Sequence, residues 1–138
     1  MFLLDTNVIS ELRVGKANPS ADVRRWAAEI PGNQLYLSAV SILELETGVR
    51  LLERNDDHRG QILRSWMESL MREFSSRVLT FGSATALLCA ALHIPDRRPD
   101  RDAMIAATAR EHAYTIVTRN TADFAGCDVQ LLNPWLTP

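Results

Sequence analysis

The chain has 138 residues, 46% apolar and 23% charged, with 15 basic against 17 acidic side chains for a formal charge of -2. That length suffices to bury about two-thirds of the unfolded surface in one domain, residues 1–138, without a disulfide or structural metal; the apolar content and mild charge exclude disorder. The near-neutral balance excludes a broadly basic nucleic-acid face, so any nucleic-acid chemistry has to rest on a local site.

The first expected element is a short apolar strand, Phe2-Leu3-Leu4, which stops at Asp5 before any cleavable leader has formed. A helix is predicted from Ala21 to Ile30, stopped by Pro31-Gly32. A second strand, Leu35-Tyr36-Leu37, is closed by Ser38, a good N-cap for the next helix. That helix spans 39–53, with Ile42, Leu45, Val49 and Leu52 in one apolar stripe. Another follows over 59–74, its charges dispersed between Ile62, Trp66 and Leu70. Val78-Leu79-Thr80 is a brief strand, 84–92 an apolar helix ending near Pro95, and 99–112 a further helix. Two more β runs follow, Thr115-Ile116-Val117 and Val129–Leu132. No apolar run approaches the roughly 18 residues of a membrane span. Cys89 and Cys127 are far apart and lack a CxxC partner, so reduced, cytosolic thiols are expected.

Strands alternating with helices predict an α/β fold, a parallel sheet with helical layers on its faces. Ligands of such sheets sit outside the carboxyl ends of the strands. Two of those ends carry chemistry here: Asp5-Thr6-Asn7 and Thr118-Arg119-Asn120. Asp5 can cap a helix beginning near Asn7, ligate, or do both. Asp102, at about 100° per residue, shares a face with Ile105, Ala106, Ala109 and Ala113, where burial of a charge is costly unless something positive meets it. Asp100 reads as the N-cap of that helix. Glu44 lies about 120° off its helix's apolar stripe, and spacing alone does not separate it from Glu46 or Glu53. Asp123, beside Phe124, either joins the acids or pairs with Arg119, and Asn120 offers an amide without charge.

Carboxylates from separate segments meeting at strand ends suit a hard divalent cation that keeps some of its waters, a Mg²⁺ site acting on phosphate. His58, His93 and His112 lack zinc spacing, and no Gly-rich phosphate loop or GxSxG elbow occurs. Arg97, Arg98, Arg101 and Arg119 flank the acids, either as contacts for RNA phosphates or as a solvated charge run.

Leu3-Leu4-Asp5-Thr6-Asn7-Val8-Ile9-Ser10-Glu11 resembles the opening of PIN-domain proteins. Residues 38–45, 102–109 and 117–124 are similar to their second, third and fourth motifs, and Asn133-Pro134-Trp135 to the ending of the VapC/FitB-like toxin branch. The resemblance runs along essentially the whole chain. It implies a three-layer α/β/α fold with a central parallel sheet of four or five strands. It also implies a Mg²⁺- or Mn²⁺-dependent ribonuclease, a cytoplasmic homodimer held inactive by a VapB/FitA-like antitoxin that binds promoter DNA. Carried over by motif, Asp5, Glu44 and Asp102 are the metal ligands, which selects Glu44 over Glu46. Thr6 and Thr118 are expected to orient Asp5 and bound waters. The fourth acid departs from the pattern: Asn120 stands where some relatives have Asp, leaving Asn120 or Asp123 to complete the site. The expected reaction is in-line attack of water on a phosphodiester, giving a 5′-phosphate and a 3′-hydroxyl.

Two rivals remain at the level of sequence. One is a catalytically silent PIN-like binding partner in an antitoxin–DNA complex, kept open by Asn120. The other is a phosphatase with an Asp nucleophile, which wants a second acid where Asn7 stands.

Overall fold

Strand propensity in this chain is concentrated in runs of two to four residues, each followed at once by a helix cap or a turn. The computed structural model, which describes residues 1–136, places them as β1 (Phe2–Leu4), β2 (Leu35–Ser38), β3 (Val78–Leu79), β4 (Thr115–Val117) and β5 (Leu131–Leu132). All neighbours are parallel, in the order β3-β2-β1-β4-β5. Parallel pairing requires crossovers, supplied by α1 (Thr6–Glu11), α2 (Ala21–Glu29), α3 (Ala39–Asn55), α4 (Asp57–Glu73), α5 (Ser83–Leu92) and α6 (Asp100–His112). None of the described helices is long and apolar enough to cross a membrane.

Both faces of the sheet are covered, as expected for parallel strands. Leu4, Leu37 and Val117 turn to one side, where they pack with Val8 and Ile9 of α1, Trp26 of α2, Val49 of α3 and Met67 of α4. Leu3 and Ile116 turn to the other, against Cys89 and Leu92 of α5 and the alanines of α6. Ala103, Ala106, Ala107 and Ala109 are fully buried, and their small side chains let α6 lie close on the strands. Three layers result, as the sequence led us to expect.

Several boundaries moved. Ser38 both ends β2 and caps α3, its hydroxyl accepting from Ser41 N–H at 3.0 Å. Asp56 caps α4 in the same way, and the helix begins at Asp57, two residues upstream of the predicted start. Ile62 is exposed, and Leu63, Met67, Leu70 and Phe74 form the inward face of α4 instead. Asp100 is the first helical residue of α6, not its cap. Pro99 holds the cap position, and the Asp100 carboxylate pairs with Arg97 at 3.0 Å. Ala113 leaves the α6 stripe altogether, closing the helix in the left-handed conformation at φ 58°.

Candidate active site

In the order β3-β2-β1-β4-β5 the chain reverses its direction of winding between β1 and β4, and the crevice outside their carboxyl ends is the natural ligand site. Asp5 stands there. Its N–H donates to the Val117 carbonyl at 2.9 Å, extending the β1/β4 ladder by one bond. Its side chain then turns to cap α1: Oδ1 accepts from Thr6 N–H at 2.8 Å, and Oδ2 from the Thr118 hydroxyl at 2.8 Å. Capping and site placement are therefore one conformation, as allowed at the outset.

Asp5 is 9% exposed. Burial pushes its carboxyl above the ordinary range; the bonds from Thr118 and Thr6 pull it back, and the negative charges of Glu44 and Asp123 push it up again. Asp102, in the first turn of α6, is raised by burial and then by Asp123, Asp5 and Glu44. The four carboxylates thus form one electrostatic group drawn from β1, α3, α6 and the 3₁₀ turn Thr121–Phe124.

Glu44 is held by α1. The Thr6 hydroxyl donates to its Oε1 at 2.9 Å, and Arg101 Nη1 stands 3.6 Å from its Oε2. Thr6 therefore positions Glu44 through its hydroxyl and Asp5 through its backbone N–H, a division of labour the sequence did not reveal. Behind them, Thr6 Oγ1 lies 3.1 Å from Ser41 Oγ, and the Ser38 hydroxyl donates to Ser41 Oγ at 3.2 Å. Ser41 was not anticipated. Its signal was present in the i, i+3 spacing of Ser38, Ser41 and Glu44, which puts three polar groups along one helix edge. Asn7 was also missed. Its Oδ1 accepts from Arg119 N–H at 3.3 Å, tying the β1 end to the β4 end.

Thr118 is fully buried and accepts from Asn120 N–H at 3.0 Å while donating to Asp5. Asn120 thus contributes its backbone to the turn that fixes Thr118. Asp123 is exposed at the rim. Glu46 and Glu53 lie outside the group: both are bound to Arg64 between α3 and α4. Glu11, at the far end of α1, is buried like Asp5 but is satisfied. Burial raises its carboxyl, yet Ser20 N–H and Lys16 more than offset this and hold it below the ordinary range. A largely apolar cavity between α2 and α4, lined by Ile30, Trp66, Leu70 and Phe74, shares none of the acids.

The donor set is all hard oxygen, carrying negative charge in a partly buried crevice, which suits a small divalent cation. Among the described residues no three His, Cys, Asp or Glu side chains stand as a ready-made metal cage.

Residues 2–128 match the family model described as PIN domain. The chain belongs to the PIN family. It is 34% identical over 140 residues to Toxin FitB of Neisseria gonorrhoeae (strain ATCC 700825 / FA 1090), covering 98% of this chain and 99% of that protein. It is 33% identical over 141 residues to VapC ribonuclease Y4jK of Sinorhizobium fredii (strain NBRC 101917 / NGR234), covering 98% of each. Among solved structures, the crystal structure of FitAcB from Neisseria gonorrhoeae superposes with a TM-score of 0.88 at 35% identity, over 99% of this chain and 100% of that one. The sequence resemblance and the sheet topology thus lead to the same PIN fold.

Proposed function

We propose that this PIN protein is a metal-dependent endoribonuclease, the toxin half of a type II toxin–antitoxin pair, acting as one domain over its whole length. The observation that carries the reading is geometric: at the carboxyl ends of β1 and β4, Asp5 is fixed by Thr6 N–H and Thr118, Glu44 is fixed by the Thr6 hydroxyl, and Asp102 lies close enough to feel the charge of both. A fold that spends stability to hold like charges together has a use for them. The names of the relatives, a toxin and a VapC ribonuclease, support RNA as the substrate class.

In this reading Asp5, Glu44 and Asp102 hold Mg²⁺ or Mn²⁺, directly or through water, and Asp123 completes the charge at the rim. The bound ion would screen the phosphodiester and acidify a water for attack. The protein's own part is to fix the donors. Thr118 and the Thr6 N–H keep both Asp5 oxygens oriented and favour its ionised form, and the Thr6 hydroxyl aims Glu44. Asn120 shapes the turn and adds no charge. A VapB/FitA-like antitoxin is the expected partner. An arginine from it, reaching the acids, would replace the metal's charge, and promoter DNA would be met only through that antitoxin. The exposed Leu51 and Met71 on α3 and α4 are suited to such a helix, and a homodimer is the expected assembly.

RNA cleavage by Asp102→Asn, set beside its circular dichroism spectrum, tests the assignment. A native spectrum with cleavage abolished is expected, and full activity in that variant would refute it. Calorimetric titration with Mg²⁺ or Mn²⁺ separates the nuclease from a silent binding domain, which would show no heat of metal binding.

A further inference from the structure

Three of the four arginines beside the acids are engaged elsewhere. Arg97 pairs with Asp100 at 3.0 Å. Arg98 donates from Nε to the Leu92 carbonyl at 3.1 Å and from Nη1 to the Ala125 carbonyl at 2.9 Å, stitching the α5–α6 loop to the 3₁₀ turn. The Arg119 guanidinium lies over the Trp135 ring, 5.3 Å from its centroid. Arg101 differs from these. Its guanidinium faces the Oε2 of Glu44 at 3.6 Å, too long for a hydrogen bond but well within Coulombic reach. Its side chain is half-exposed, so the contact is screened and readily given up. It also immediately precedes Asp102, so the first turn of α6 carries a candidate ligand and this cation side by side.

We propose that Arg101 is a built-in counter-ion for Glu44 that yields the carboxylate to the divalent cation and then takes a backbone phosphate of the RNA. The proposal rests on the metal-dependent nuclease reading above. A doubly charged ion attracts Glu44 more strongly than a screened guanidinium at 3.6 Å. Once released, the guanidinium is left at the rim of the crevice, where a phosphodiester has to lie. Its planar fork of donors matches phosphate oxygens. The same residue thereby lowers repulsion among the acids in the empty protein and binds substrate in the loaded one.

The two roles predict effects of opposite sign for one substitution. Arg101→Ala should tighten Mn²⁺ binding in calorimetry about three- to fivefold, the scale of a screened ion pair. It should weaken binding of a labelled single-stranded oligouridylate, read by anisotropy with Ca²⁺ present, by a similar factor of about three to five. Arg101→Lys should restore both values towards wild type, and Arg97→Ala, which removes an equal charge off the acids, should move neither. Unchanged Mn²⁺ affinity in Arg101→Ala overturns the counter-ion role, as does equal tightening in Arg97→Ala; unchanged RNA affinity overturns the phosphate role. A wild-type protein that takes no Mn²⁺ at all overturns the nuclease reading itself, a distinguishable failure.

Discussion

Glu44 and Glu46 are two residues apart on one helix and live in opposite electrostatic worlds. Glu44 faces Asp5 and Asp102 across the crevice, with one weak cation at 3.6 Å. Glu46 and Glu53 grip Arg64 through four hydrogen bonds of 2.7 to 3.1 Å, and the Arg64 hydrogen bonds hold both carboxyls below the ordinary range. Their joint effect on Arg64 is to raise its guanidinium further above its already high value. The carboxylates between α3 and α4 are neutralised by Arg64, whereas those proposed as metal ligands are left to repel one another. The contrast in compensation is a better guide to the site than the presence of acids alone.

Exchanging the two glutamates breaks the comparison most sharply. Glu44→Gln should cut RNA cleavage by about a hundredfold or more, the scale expected for a lost metal ligand or its support, whereas Glu46→Gln should cleave like wild type in the same assay. The α3/α4 region should instead show its importance in stability. A Cβ added at Gly60 would come within 2.6 Å of Glu53 Cα, backbone that cannot give way without parting the two helices. Gly60→Ala is therefore expected to cost about 1–3 kcal/mol in denaturant unfolding, with cleavage by the folded fraction retained.

A smaller effect, with a definite pH dependence, is expected from Arg64→Met. Because the folded carboxyls of Glu46 and Glu53 lie below the ordinary value of 4.5, their stabilising contribution is fully present above that value. It is lost as pH falls through the depressed folded values. The variant should melt below wild type at neutral pH, and the gap should close on acidification. Asp102→Asn should do the reverse and by the least. Its carboxyl is raised in the fold, so the charged form is destabilising above the folded value and the penalty lifts as pH falls. In EDTA at neutral pH the variant should melt slightly above wild type, and added Mg²⁺ should narrow or invert the difference. A variant that melts below wild type in EDTA would mean that the charges are already compensated.

The layer order of the fold was legible because each strand is built on a short apolar run and each long helix has its stripe. The 35–37 strand and the Ser38 cap that closes it were readable for that reason, although Ser38 itself also pairs as the last residue of β2. What escaped was set by tertiary contact. Ile62 fits the helical period yet faces out, since α4 turns Leu63 and Met67 to α3 and the sheet. Asp100 has good capping chemistry, but Arg97 takes its carboxylate. At the candidate site, Asp5 and Asp102 stood out by local arguments, an acid ending an apolar strand and an acid on an alanine face. Glu44 did not, because its distinction from Glu46 depends on what α1 and α4 bring to each side of α3, and only the family motif selected it. The roles of Ser41 and Asn7 depend in the same way on partners 35 and 112 positions away.

Leu3 and Leu4 belong to opposite layers, and Asp5 follows them without a spacer. This short stretch tolerates a change of apolar residue far better than a change of length. Inserting or deleting one residue would send each leucine into the wrong layer and carry the acid out of step with Thr118. The strand thus acts as a ruler: its count of residues sets the height of the carboxylate, and both hydrophobic layers hold that count in place.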